Sequence, residues 1–153
     1  MNISSSTYWV LVADSGNARI FKLRRKPAEF REVHTLVSDA LHKRSKDLVS
    51  DGSGRSFHAQ GPASHPKKQR SNPQERAEQE FSRKLVDKLE LAANVNAFEK
   101  LVVFADPKTL GRLRPQMSKN LKGRVVDELN LDLVGMPLEP MKKKIRAQLG
   151  WAA

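Results

Sequence analysis

Three groups of cations in this chain are suited to meeting phosphate, and two aspartates are suited either to holding a metal or to capping a turn. The first group lies between Ser38 and Asn72, where Gly52, Gly54 and Gly61 are interspersed with Arg55, Lys67, Lys68 and Arg70. Glycine lets a backbone approach a phosphate closely, and nearby arginine or lysine adds charge-assisted hydrogen bonds. His58 and His65 are further donors, and Phe57 could stack on a base of single-stranded nucleic acid. The same composition also fits a linker whose charges are merely solvated.

The second group is Lys108, Arg112, Arg114, Lys119, Lys122 and Arg124, a stretch with no acid between Pro107 and Val126. A helix starting just after a central strand would point its positive end at the sheet's carboxyl edge, where a phosphate could bind. The third group, Lys142, Lys143, Lys144 and Arg146, reads first as a solvated helix face and second as a surface for lipid or RNA. Asp14 follows the first apolar run and Asp106 the fourth. Aspartate before a turn or a proline is standard capping chemistry. The histidines at 34, 42, 58 and 65 lack metal-site spacing, and without cysteine there is no thiolate site and no thiol nucleophile. No metal or other cofactor is expected.

These residues need a scaffold, and the apolar pattern outlines one. Thr7 to Asp14 reads as a buried strand, Ser15-Gly16-Asn17 as a tight turn, and Ala18 to Leu23 as the returning strand of a hairpin. Pro27-Ala28 turns the chain again into a third strand, Phe30 to Val37, antiparallel to the second. Its expected inward set is Phe30, Val33 or Thr35, and Val37, with Arg31, Glu32 and His34 outward. Periodicity then vanishes from about 38 to 72, apart from a short helix near Ala40 to Leu48. Seven Lys or Arg stand there against three Asp. A structureless insert of that length is usually functional or disordered.

Asn72-Pro73 opens a long helix, with Asn72 as cap, Pro73 at the first helical position and Glu75 three residues after the cap. Ala77, Phe81, Leu85, Leu89 and Ala92 form its apolar stripe, Glu80 and Lys84 an i,i+4 pair, and the end falls near Asn94 to Asn96. Glu75 or Glu78 could add a carboxylate to the two aspartates. Lys100 to Ala105 reads as a central parallel strand. A helix follows Asp106-Pro107, with Leu110, Leu113 and Met117 inside and a break at Pro115. Arg124 to Leu133 begins as a strand. A last helix begins at Pro137 or Pro140, with Met141, Ile145 and Leu149 on one side. The expected fold is one α/β domain over residues 1–153, a mixed sheet of about five strands with helices packed on it and a long basic loop.

The chain has 153 residues, 39% hydrophobic and 29% charged, with a formal net charge of +11. That surplus favours polyanions. No apolar run approaches the ~20 residues a membrane span needs. The first eight residues show no basic stretch followed by an apolar one, so the expected location is the cytoplasm.

Three strings resemble the bacterial host-attachment protein family: Ala13-Asp14-Ser15-Gly16-Asn17-Ala18-Arg19-Ile20-Phe21, Asp51-Gly52-Ser53-Gly54-Arg55-Ser56-Phe57, and Leu101 through Asp106-Pro107 to Leu110-Gly111-Arg112-Leu113-Arg114. Members of that family look like stand-alone relatives of the middle domain of archaeal and eukaryotic peptide-chain release factors. The resemblance implies a ribonuclease-H-like sheet and a link to the ribosome or tRNA. In such a sheet the first and fourth strands are neighbours, so Asp14 and Asp106 could share Mg²⁺, as a nuclease requires. The release-factor domain carries a Gly-Gly-Gln tripeptide on the loop before its long helix, and the glutamine assists peptidyl-tRNA hydrolysis. Here that loop reads Gly52-Ser53-Gly54-Arg55-Ser56-Phe57-His58-Ala59-Gln60-Gly61, so Gln60 lacks the glycine pair.

The leading functional expectation is a non-enzymatic module that binds RNA on the ribosome or tRNA. Its contacts would be Arg55, Phe57, His58, Lys67, Lys68, Arg70, Lys108, Arg112, Arg114 and Lys119. The alternatives are a Mg²⁺-dependent nuclease through Asp14 and Asp106 or a peptidyl-tRNA hydrolase through Gln60, and an envelope-associated factor with a protein partner.

Overall fold

A computed structural model of the chain describes residues 6–42 and 72–151. It holds a five-stranded mixed sheet in the order β3-β2-β1-β4-β5. The strands are β1 (Tyr8–Ala13), β2 (Asn17–Arg24), β3 (Glu29–Val37), β4 (Lys100–Ala105) and β5 (Val125–Leu129). β1 pairs antiparallel with β2, and β2 antiparallel with β3, as two short turns require. β4 lies parallel to β1 on one side and to β5 on the other.

Helices cover both faces. α1 (Pro73–Asn94), α2 (Pro107–Leu113) and α3 (Lys119–Arg124) pack on one side, and α4 (Leu138–Leu149) on the other. Alternate residues of β1 therefore enter different cores: Trp9, Leu11 and Ala13 meet Phe81, Leu85 and Leu89, whereas Val10 and Val12 meet Met141 and Ile145. This double burial is why β1 and β4 are continuous apolar runs. It also explains the broken alternation of β2, since Ile20 and Phe21 point to opposite faces and both are buried.

The N-cap works as the sequence predicts. Asn72 Oδ1 accepts from the amides of Gln74 (2.8 Å) and Glu75 (3.2 Å). α1 ends at Asn94, and Asn96 beyond it has φ 55°. Pro115 stops α2 at Leu113, and Arg114–Gln116 continues as a single 3-10 turn. Residues 39–42 are helical, and the rest of the short helix expected near 40–48 lies outside the described residues.

Three expectations need correction. The inward set of β3 changes phase midway: His34 pairs with Ile20 but Glu32 with Phe21, leaving Val33 as a bulge. Because side chains alternate with period two, one extra residue moves everything after it to the other face. Phe30 thus packs with the α4 core, while Leu36 and Val33 pack with the α1 core. His34 lies inward, its ring 5.5 Å from that of Trp9, and Val37 is 47% exposed. Glu80 and Lys84 form no ion pair; both are exposed and solvated. Finally, β5 starts at Val125, because Lys119–Arg124 is helical. Ser118 Oγ caps that helix at Leu121 N (3.1 Å), and Glu90 of α1 accepts from both the amide and the hydroxyl of Ser118.

Leu89 has no exposed surface and sits in the α1 core. Leu89→Ala is expected to cost about 2–5 kcal/mol in urea unfolding, against under about 0.5 kcal/mol for Lys84→Ala on the outer face of the same helix.

Candidate functional site

Parallel pairing sets Ala13 opposite Ala105, so the residues that follow, Asp14 and Asp106, leave the sheet side by side at its carboxyl edge. A cleft of about 600 Å³ opens there, lined by both aspartates with Asn17, His42, Gln74, Glu78 and Asp132. The edge of a sheet beyond the carboxyl ends of parallel strands is the usual ligand position in α/β proteins. Gly16 belongs to the same rim. A Cβ there would lie 3.1 Å from Leu41 Cδ1, so a larger residue would need the Leu41 side chain to give by a few tenths of an ångström.

Both aspartates are engaged in holding the chain. Asp14 Oδ1 accepts from the amides of Gly16 (2.9 Å) and Asn17 (2.7 Å) and from Asn17 Nδ2 (3.1 Å), closing the β1–β2 turn. Asp106 caps α2, accepting from Thr109 N (3.2 Å) and Thr109 Oγ1 (2.6 Å). Partial burial pushes the Asp106 carboxyl up, but the Thr109 hydroxyl and the helix amides outweigh it, and the group sits below the usual carboxylate range. Among the described residues no group of three or more Asp, Glu or His is arranged to hold a metal ion.

Of the two glutamates weighed with the aspartates, Glu78 joins the cleft, and its partners are cations. It lies in the second turn of α1, 5% exposed, and points at α2 rather than at solvent. Arg112 Nη1 approaches its Oε1 to 2.7 Å and Lys108 Nζ to 3.5 Å, while Gln74 Nε2 donates to Oε2 (3.3 Å). The Arg112 contact lies off the hydrogen-bond direction, so its attraction is Coulombic. Burial alone would raise the Glu78 carboxyl; Gln74, Arg112 and Lys108 together bring it below its ordinary value.

Four of the six cations in the second group are therefore engaged. Lys108 and Arg112 face Glu78, and Arg114 faces Glu128 at 2.6 Å. Arg124 donates to Phe98 O (2.7 Å) and Asn96 Oδ1 (3.0 Å). Lys119 and Lys122 remain exposed without an ion pair. The acids that meet this group lie some 30 residues before it and just after it, so a scan of 107–126 alone could not find them. Asn17, His42, Gln74 and Asp132 join the cleft with no sequence signal, since only the fold brings them together. Arg55, Phe57, His58, Gln60, Lys67, Lys68 and Arg70 lie outside the described residues. No described helix is long and apolar enough to cross a membrane.

A sequence profile described as a protein required for attachment to host cells matches residues 9–145. The chain belongs to that host-attachment family. No curated protein matches it.

Removing Glu78 would leave the largely covered Arg112 side chain without its acid. Glu78→Ala is expected to destabilise the protein by about 3 kcal/mol in chemical denaturation, well beyond the ~1 kcal/mol expected for loss of the α2 cap in Asp106→Ala. Both carboxyls have depressed folded-state pKa values, so their ionised forms stabilise the protein above the unfolded carboxylate range of about pH 4. That contribution is lost as pH falls through the depressed values, and urea midpoints measured from about pH 7 down to about pH 3 should decrease.

Proposed function

We propose that the chain is a non-enzymatic RNA-binding module that docks on the ribosome or tRNA through its basic segment. The observation that carries this reading is the placement of charge. Between residues 43 and 71 the sequence holds seven Lys or Arg and two Asp, a surplus of five in a chain whose surplus is eleven. On the folded body, by contrast, Lys108, Arg112 and Arg114 already meet acids. His42, just before the segment, and Gln74, shortly after it, both line the cleft at the sheet's carboxyl edge.

Arg55, Lys67, Lys68 and Arg70 would neutralise phosphates and release counterions, with Phe57 and His58 on bases and Lys119 a further contact from the body. The kinship with release-factor middle domains and the ribonuclease-H-like assignment belong to the same reading. They are supported by the order β3-β2-β1-β4-β5, with β4 and β5 parallel to β1. The capping roles of Asp14 and Asp106 favour binding over metal-dependent cleavage. The family's description favours a second reading, a protein-interaction factor at the cell envelope.

Fluorescence anisotropy with tRNA and with ribosomes tests the first reading. Affinity should fall linearly on a log–log plot between about 50 and 200 mM salt, and replacing Lys67, Lys68 and Arg70 by Ala should flatten the slope by about three. Undetectable binding at low salt, together with recovery of the native protein in an envelope fraction, would favour the second reading instead.

A further inference from the structure

The end of the sheet opposite the carboxyl-edge cleft has a different electrostatic character. Of the arginines on the folded body, Arg19, Arg31, Arg112 and Arg114 each meet a carboxylate. Arg25 and Arg146 meet aromatic rings instead. The Arg25 guanidinium carbon lies 5.3 Å from the centre of the Trp151 ring, and that of Arg146 lies 4.9 Å from the centre of Phe30. Neither has a carboxylate in ion-pair range among the described residues. Both line one cleft of about 330 Å³, walled by Leu23, Phe30 and Trp151.

The lone acid in the lining does not neutralise them. Glu29 already accepts from Arg31 Nε at 2.6 Å and lies 3.6 Å from Lys22 Nζ. The hydrogen bond from Arg31 is the largest reason its carboxyl is held below the usual range, so Glu29 is ionised and matched by its own partners. Lys142, 5.3 Å from the Phe30 ring centre, adds further positive charge beside the cleft, tempered by Glu139 at 3.6 Å.

The aromatic walls are built by the fold. Gly150 takes φ 73° at the end of α4, a left-handed conformation that glycine adopts without a Cβ penalty. This turns the chain so that Trp151 N donates to Arg146 O (2.8 Å) and the indole packs edge-on to Tyr8 at 5.0 Å. A guanidinium stacked on a ring keeps its in-plane N–H groups available, in the fork geometry that binds an oxyanion through two parallel bonds. With one indole face under Arg25 and Tyr8 against the ring, the cleft offers charge and donors rather than a stacking platform.

We infer that this cleft is a phosphate-ester site, in which Arg25 and Arg146 grip the phosphoryl oxygens. Its volume is at the low end of small-ligand sites, enough for one nucleotide-sized group. The inference does not depend on the basic segment, because it is argued from described residues that all lie outside 43–71.

The protein has two tryptophans, and Trp9 is buried in the α1 core, so the two indole N–H signals of ¹⁵N-labelled full chain separate the cleft from the core. Inorganic phosphate, adenosine monophosphate and a short single-stranded RNA are titrated in turn at constant ionic strength. The expected result is a saturable shift of the Trp151 signal with at least one probe while Trp9 stays still. The tightest probe then identifies the source, a free nucleotide or a strand. Arg25→Gln with Arg146→Gln should weaken that binding by about tenfold or more. Arg25→Gln alone, on an exposed turn, should weaken it if the double variant displaces Trp9. Replacing Lys67, Lys68 and Arg70 by Ala should leave the inorganic phosphate and monophosphate titrations unchanged, so the cleft and the segment can fail separately. No Trp151 shift with any probe, or one of equal affinity in the arginine variants, would overturn the assignment.

Discussion

Glu78 is nearly covered in the second turn of a long helix, and Arg112 and Lys108 hold its charge. That contact fixes how the carboxyl edge of the sheet behaves. It joins α1 to α2 across the exit of β4, and it gives an acid to two cations that would otherwise attract an anion, the largely covered Arg112 and the exposed Lys108. Ion pairs this buried contribute little net stability, because desolvation cancels most of the Coulomb gain. Losing one member is nonetheless costly, so the pair specifies the arrangement more than it strengthens it.

The same logic extends over the folded body. Arg19 with Glu32, Arg114 with Glu128 and Arg31 with Glu29 each join a cation to an acid from its own or a neighbouring strand or helix. The acids of a strongly basic chain are thus drawn to particular cations, and the surplus remains where acids are scarce. In sequence one such place is the segment between 43 and 71; among the described residues the aromatic-walled cleft of Arg25 and Arg146 is another. Asp14 and Asp106, brought together by parallel pairing, close a turn and cap a helix.

Much of the scaffold was legible because its signals are local. Two continuous apolar runs mark the doubly covered strands β1 and β4; Asn72-Pro73 marks the start of α1 and Pro115 the end of α2. The bulge at Val33 was not legible, since no glycine or turn residue announces it and only pairing with β2 exposes the change of phase. The helix from Lys119 to Arg124 is too short to show an apolar period, and Ser118 was its only mark. The site was harder still. An acid-free stretch from 107 to 126 reads as a phosphate surface, yet its partners Glu78 and Glu128 arrive from other elements. Trp151 meets Tyr8 only because Gly150 turns the chain, a contact no local pattern announces.

The central claim is that polyanions are met by the cations of the 43–71 sequence and by the aromatic cleft, and not by Lys108, Arg112 and Arg114, which already face acids. Photo-crosslinking of the full chain to tRNA, mapped by mass spectrometry, tests this directly. The account predicts crosslinks in peptides covering 43–71 and in those around Arg25, Arg146 and Trp151, with none at Lys108, Arg112 or Arg114. Crosslinks concentrated on those last three residues, with none in the segment or the cleft, would contradict it.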